Sequence, residues 1–114
     1  MRILSIHEYK LKSGITEKNF EQAVITAIKK DLFVLPGLVE YHFLRRIRGT
    51  RKTDFAAIWI YQDKNAWENL WGKIDNPCKK EDYPVKWQIW ENEILAPLLQ
   101  QDPDQIYYAA YEVM

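Results

Sequence analysis

Hydrophobic and polar positions alternate from Ile3 to Leu11. Ile3, Ser5, His7, Tyr9 and Leu11 fall on one parity and Leu4, Ile6, Glu8 and Lys10 on the other, a period of two that predicts a strand ended by Ser13-Gly14. The period then lengthens. Phe20, Ala23, Val24, Ala27 and Ile28 recur at i, i+3, i+4, i+7 and i+8, which predicts an amphipathic helix from Thr16 to Asp31. Thr16 is its N-cap candidate, Glu17 suits the positive end of the helix, Ile15 can staple onto Phe20, and Pro36-Gly37 forbids continuation. Two more alternating segments follow, Leu38 to Arg48 and Asp54 to Tyr61, the latter dense in β-branched and aromatic residues. The short polar break Gly49-Thr50-Arg51-Lys52 between them predicts an antiparallel hairpin.

Asp63 can cap a short helix in which Ala66, Trp67, Leu70 and Trp71 keep helical spacing. Gly72 to Tyr83, with Asp75-Asn76-Pro77, reads as a polar excursion on the surface. Beyond Pro84, Trp87, Trp90, Ile94 and Leu98 recur at i, i+3, i+7 and i+11, a helix that Pro97 should kink or end. Asp102-Pro103-Asp104 is a turn, and Ile106 to Val113 makes a closing strand. The order β-α-β-β-α-α-β, with right-handed crossovers, predicts an α+β fold: a ferredoxin-like four-stranded antiparallel sheet with helices on one face. Both parities of the strands carry large apolar residues, Leu4 and Ile6 against Ile3 and Tyr9, and Ile58 and Ile60 against Phe55 and Trp59. A sheet apolar on both faces needs a second covering layer, and an identical chain related by a two-fold axis is the simplest supplier, so a homodimer is expected.

The chain has 114 residues and 13.7 kDa, room for one domain over residues 1–114. Sixteen Lys+Arg balance sixteen Asp+Glu, and the pI is 6.7, so no global field draws in nucleic acid or an anionic membrane. The lone Cys78 excludes an internal disulfide framework and a cysteine-rich metal site. The opening MRILSIHEYK is too short and polar for a signal peptide, and no eighteen apolar residues run together, so a cytoplasmic protein is expected.

Several of these residues resemble the dimeric α/β-barrel superfamily, and within it the antibiotic-biosynthesis-monooxygenase-like (ABM-like) domains. The resemblance spans nearly the whole chain. It rests on the first strand closed by Ser13-Gly14, on Leu35-Pro36-Gly37-Leu38 entering the second strand, and on the passage Ile58-Trp59-Ile60-Tyr61-Gln62-Asp63-Lys64-Asn65-Ala66-Trp67. What it implies is a pocket in each subunit between sheet and helices, with two sheets meeting at a dimer core. Relatives of this kind include monooxygenases, haem degraders, isomerases and proteins with no known activity, so the motifs report fold far better than function. Haem-degrading relatives place an asparagine in the first strand and a histidine in the later helical region; here His7 stands at the first position and no histidine follows His42. The axial ligand is missing, and no cofactor is expected.

His7 and His42 are the two side chains whose ordinary pKa lies near neutrality. His7, on the parity of Ser5 and Tyr9, is the catalytic candidate: facing a pocket it can accept a proton from an acidic phenol or enol, and facing the core it is a structural histidine. Two histidines without a positioned carboxylate make no metal site. Five Trp and seven Tyr are the more unusual feature. Tyr9, Trp59 and Tyr61 from the strands and Trp67, Trp71, Trp87 and Trp90 from the helical layer can converge into a cavity for a flat apolar ligand, or serve as core. Arg45, Arg46, Arg48, Arg51 and Lys52 gather at one hairpin, but alternation sends Arg45 and Arg46 to opposite faces, which describes a solvated end rather than one patch. Two readings of function follow. One is a dimeric protein that binds a small aromatic or apolar molecule; the other is a cofactor-independent monooxygenase-like enzyme acting on an ionisable aromatic substrate.

Overall fold

In the computed structural model, which describes residues 1–114, the alternating segments form strands β1 (Ile3–Tyr9), β2 (Leu38–Arg45), β3 (Phe55–Tyr61) and β4 (Tyr107–Glu112). The helical stretches become α1 (Glu17–Lys29), α2 (Lys64–Trp71) and α3 (Val85–Gln88). The strands pair antiparallel throughout, in the order β2-β3-β1-β4. No helix is long and apolar enough to cross a membrane. Thr16 caps α1 reciprocally: its hydroxyl accepts from the Asn19 backbone amide at 3.2 Å, and the Asn19 side-chain Oδ1 accepts from the Thr16 backbone amide at 2.9 Å. Asp63 caps α2 through the Ala66 amide at 2.8 Å.

β2 stops at Arg45 instead of running to Arg48: one more ladder bond, from the Arg46 amide to the Asp54 carbonyl at 3.1 Å, closes the pairing before the Gly49–Lys52 turn. On its other edge Asp54 extends the pairing with the β1 side: its amide donates to the Tyr9 carbonyl, and its carboxylate accepts from the Leu11 amide, both at 2.8 Å. Arg45 turns to Glu17 and Glu21 of α1, and Arg46 to Glu8 and Thr53 on the opposite side, as alternation requires. At the start of β2, Gly37 has φ +83°, and a Cβ there would stand 2.5 Å from the Ala66 Cβ, so the backbone of α2 closes directly onto this turn.

The last helix departs most from its predicted phase. The α-helical turn Val85–Gln88 widens into a π-helical stretch over Ile89–Leu95, where the Ala96 amide donates to the Glu91 carbonyl five residues back, and a 3₁₀ turn at Ala96–Leu98 ends it. Pro97 has no N–H to continue the ladder. Each widened turn accommodates an extra residue, so the buried positions after Trp90 are Leu95 and Leu99 rather than Ile94 and Leu98.

One parity of each central strand is sealed under the helices. Tyr9, Phe55, Ala57, Trp59 and Tyr61 are buried there with Phe20, Phe33, Trp87 and Trp90. Phe20 stacks on Phe55 at 4.3 Å, and Trp59 packs edge-to-face on Phe33 at 5.1 Å and on Trp87 at 4.9 Å. The other parity forms a bare sheet face: Leu4, Ile6, Ala56, Ile58, Ile60 and Ala109 are half-buried there, and Leu44 and Tyr111 are 42% and 54% exposed. At one corner of this face Glu8 gathers Arg46, Arg51 and Thr53. The molecule exposes 7528 Å², against roughly 6,600 Å² expected for a monomer of this mass, an excess of roughly 900 Å².

Candidate ligand-binding site

A cavity of about 330 Å³ opens between the β1–β4 half of the sheet and the helical layer. Its floor follows from strand register. Ser5 faces Ala110 and His7 faces Tyr108 across the β1–β4 ladder, so the helix-facing parity delivers Ser5, His7 and Tyr108 together. Trp67 and Trp71, one turn apart on α2, form one wall; Trp87 and Glu91, one turn apart on the last helix, form the opposite one. Ile106, Pro103 and Asp104 close the side nearest β4.

The segment after α2 is more than a surface excursion. Gly72–Lys73 pairs with Asn76–Pro77 in a miniature hairpin, the Cys78 amide donates to the Trp71 carbonyl at 3.0 Å, and the Gln88 side chain donates to the Tyr83 and Glu81 carbonyls at 2.8 and 3.1 Å. These bonds hold Pro77 and Tyr83 against the cavity. Lys80 reaches Asp104 at 3.2 Å and ties this segment to the turn before β4.

The rings stand steeply to one another. Trp71 meets Trp87 at 5.3 Å and 67° and Tyr83 at 5.3 Å and 86°; His7 meets Trp87 at 5.8 Å and 75° and Tyr108 at 5.4 Å and 71°. Burial lowers the His7 pKa to about 4, so the imidazole is neutral at pH 7. Its Nδ1 is buried with no hydrogen-bond partner, which leaves Nε2 as the nitrogen able to meet a ligand. Burial also raises the Glu91 carboxyl to about 7, with Lys80 and the Trp87 indole pulling the other way and Asp104 adding to the rise. Tyr83 and Tyr108 are likewise pushed up, chiefly by burial, and stay neutral phenols.

Of the predicted site residues, His7, Trp67, Trp71 and Trp87 line this cavity. Tyr9, Trp59, Tyr61 and Trp90 do not: the structure buries all four in the core, where the central strands β1 and β3 meet the helices. A strand parity fixes which side of the sheet a residue faces, and the cavity lies beside those central positions rather than over them. Glu91 escaped the sequence reading although its spacing from Trp87 was available; an apolar stripe draws the eye to Trp90 and Ile94 and past the acid between them. Tyr108 was hidden because the pairing partner of His7 follows from register alone. Burial, then Asp82, raises the Cys78 thiol, and no three His, Cys, Asp and Glu side chains come together as a metal site.

A four-stranded antiparallel sheet with helices on one face and a cavity between the layers defines the α+β, ferredoxin-like class, and the chain shares the fold of the DABB-family and ABM-like dimeric α/β-barrel proteins. Among solved structures, it is similar to a DABB-family protein with a ferredoxin-like fold from Mesorhizobium loti, at TM-score 0.67 and 16% identity over 99% of this chain and 97% of that one. It is also similar to a dimeric ferredoxin-like protein of unknown function from Thermobifida fusca, at TM-score 0.60 and 20% identity over 99% and 92%. A third likeness is to SnoaB, a cofactor-independent oxygenase from Streptomyces nogalater, at TM-score 0.61 and 12% identity over 99% and 93%. At these identities the likeness is one of fold. No protein-family model and no curated protein sequence matches the chain.

Proposed function

We propose that this protein binds a small, flat aromatic or apolar molecule in the cavity between sheet and helices, and that it does so as a homodimer joined through the bare sheet face. The aromatic walls carry the first claim: about 330 Å³ lined by Trp67, Trp71, Tyr83, Trp87 and Tyr108, with Ser5, His7, Glu91 and Asp104 as polar groups, is the composition of a small-molecule site. The second is supported by the apolar outer face and by a surplus of exposed area close to the ~800 Å² each partner buries in a standard interface. The dimeric protein from Thermobifida fusca is built on the same fold.

Calorimetric titration with 2-naphthol tests the binding claim. Saturable heat is expected, and Ile106→Trp, which fills the cavity from the β4 side, should abolish it. Equal binding by the filled variant would place the ligand elsewhere and end this reading.

A second reading, an oxygenase-like enzyme working on an ionisable aromatic substrate, is favoured by Glu91, whose pKa of about 7 suits proton transfer at neutral pH. His7 fits that task poorly. With its pKa near 4 and no hydrogen bond orienting the ring, it is a weak base for a phenol. Oxygen uptake with polyphenols that falls in Glu91→Gln but not in His7→Asn is the expected signature of this second reading, and no uptake above buffer would refute it.

A further inference from the structure

We infer that the ligand of this cavity is a small organic cation, an amine or quaternary ammonium on an apolar body, held by the aromatic walls and the Glu91 carboxylate. This rests on the cavity being a ligand site and narrows what enters it. The ionisable lining is one-sided. It contains two carboxylates, Glu91 and Asp104, and neither lysine nor arginine. Asp104 is already matched by Lys80 at 3.2 Å, whereas no salt bridge reaches Glu91. His7 is neutral and adds no repulsion toward a positive charge.

The rings complete the case. A cation is attracted to the face of an indole or phenol by the ring quadrupole, Trp being the strongest, and several rings approaching from different directions make a cage for it. Here Trp87 and Tyr83 stand at 67° and 86° to Trp71 in the helical layer, with His7 and Tyr108 on the sheet side. An anionic ligand would meet Glu91 and the negative ring faces with no fixed positive group inside the lining. A neutral one would gain nothing from the charge that Glu91 carries once ionised.

Calorimetry at pH 8, above the Glu91 pKa of about 7, with three probes separates the possibilities. Choline and its uncharged isostere 3,3-dimethylbutan-1-ol share a shape, and 2-naphthol reports on the cavity itself. Choline is expected to bind at least about tenfold more tightly than the isostere. Glu91→Gln, which keeps the size of the side chain, should erase most of that preference, and Trp71→Leu should weaken choline more than 2-naphthol. Circular dichroism melts establish that both variants are folded. Equal affinity for choline and its isostere, or a preference unchanged in Glu91→Gln, overturns the inference. If 2-naphthol binds and choline does not, cation recognition falls while the ligand-site reading stands; if neither binds, both fall.

Discussion

Glu91 offers a quantitative test of how the cavity is built. The perturbation is Glu91→Gln, which preserves length and an acceptor for the Trp87 indole while removing the titration. In the folded protein the carboxyl ionises near pH 7; in the unfolded chain it ionises near 4.5. The folded state therefore holds its proton more tightly. Its carboxyl costs no stability below pH 4.5, and the cost grows as pH rises from 4.5 to 7 and is complete above 7. At 1.36 kcal/mol per pH unit the gap corresponds to roughly 3 kcal/mol. The charged and titratable groups that face it are Lys80, Asp104, Tyr9 and Tyr83, and Lys80 opposes the rise.

The assay is urea unfolding of parent and variant from pH 4 to 8.5 at fixed protomer concentration, because the apparent stability of any self-associating chain depends on it. The variant should match the parent at pH 4 and exceed it by roughly 3 kcal/mol at pH 8, a rise in Tm on the order of 10 °C. His7 contributes its own slope, stability lost as pH falls from 6.5 toward 4, but identically in both proteins, so it cancels in the difference. A pH-independent difference, or a parent more stable than the variant at pH 8, would show that burial does not hold the Glu91 proton and would refute the reasoning.

Two further outcomes are expected. Ile58 faces Ile6 and His42 across its two ladders, in the middle of the bare face, so Ile58→Asp should leave secondary structure intact and convert a dimer to a monomer in sedimentation velocity at micromolar concentration; a parent already monomeric there would remove the second-copy argument. Gly37→Ala combines a left-handed backbone with a Cβ 2.5 Å from that of Ala66 and should destabilise by about 2 kcal/mol or more in urea unfolding. Adding Ala66→Gly should recover the steric part and leave the backbone part.

The elements were legible wherever one period dominates the sequence. Thr16, Asp63 and the Phe20-to-Ile28 stripe specify local structure with local chemistry, and the opposed parities of β1 and β3 announce two sheet faces to be covered. What was not legible depends on distance along the chain. Leu38 to Arg48 alternates throughout, yet β2 ends at Arg45, and Arg46 turns its side chain to Glu8, thirty-eight residues away on β1, a partner that no local pattern announces. The tryptophans show the same limit. All seven aromatic site candidates lie between the sheet and the helical layer, but whether a ring lines a cavity or fills the core depends on which strands the last helix lies across.

That helix carries the decisive irregularity. A stripe at i, i+3, i+7 and i+11 assumes an unbroken α-helix, whereas the wider turns over Ile89–Leu95 move the buried positions to Leu95 and Leu99. Trp87 and Trp90 come before most of this shift and keep their predicted inward direction, while Glu91 sits inside the widened stretch and its carbonyl accepts the five-residue bond from Ala96. The wider turn lets the chain bury Leu95 while an acid remains at the cavity wall, one turn from Trp87. The backbone irregularity that defeats the simple period therefore acts after Glu91, moving the buried positions to Leu95 and Leu99, while the one-turn spacing from Trp87 puts the carboxylate among the aromatic rings.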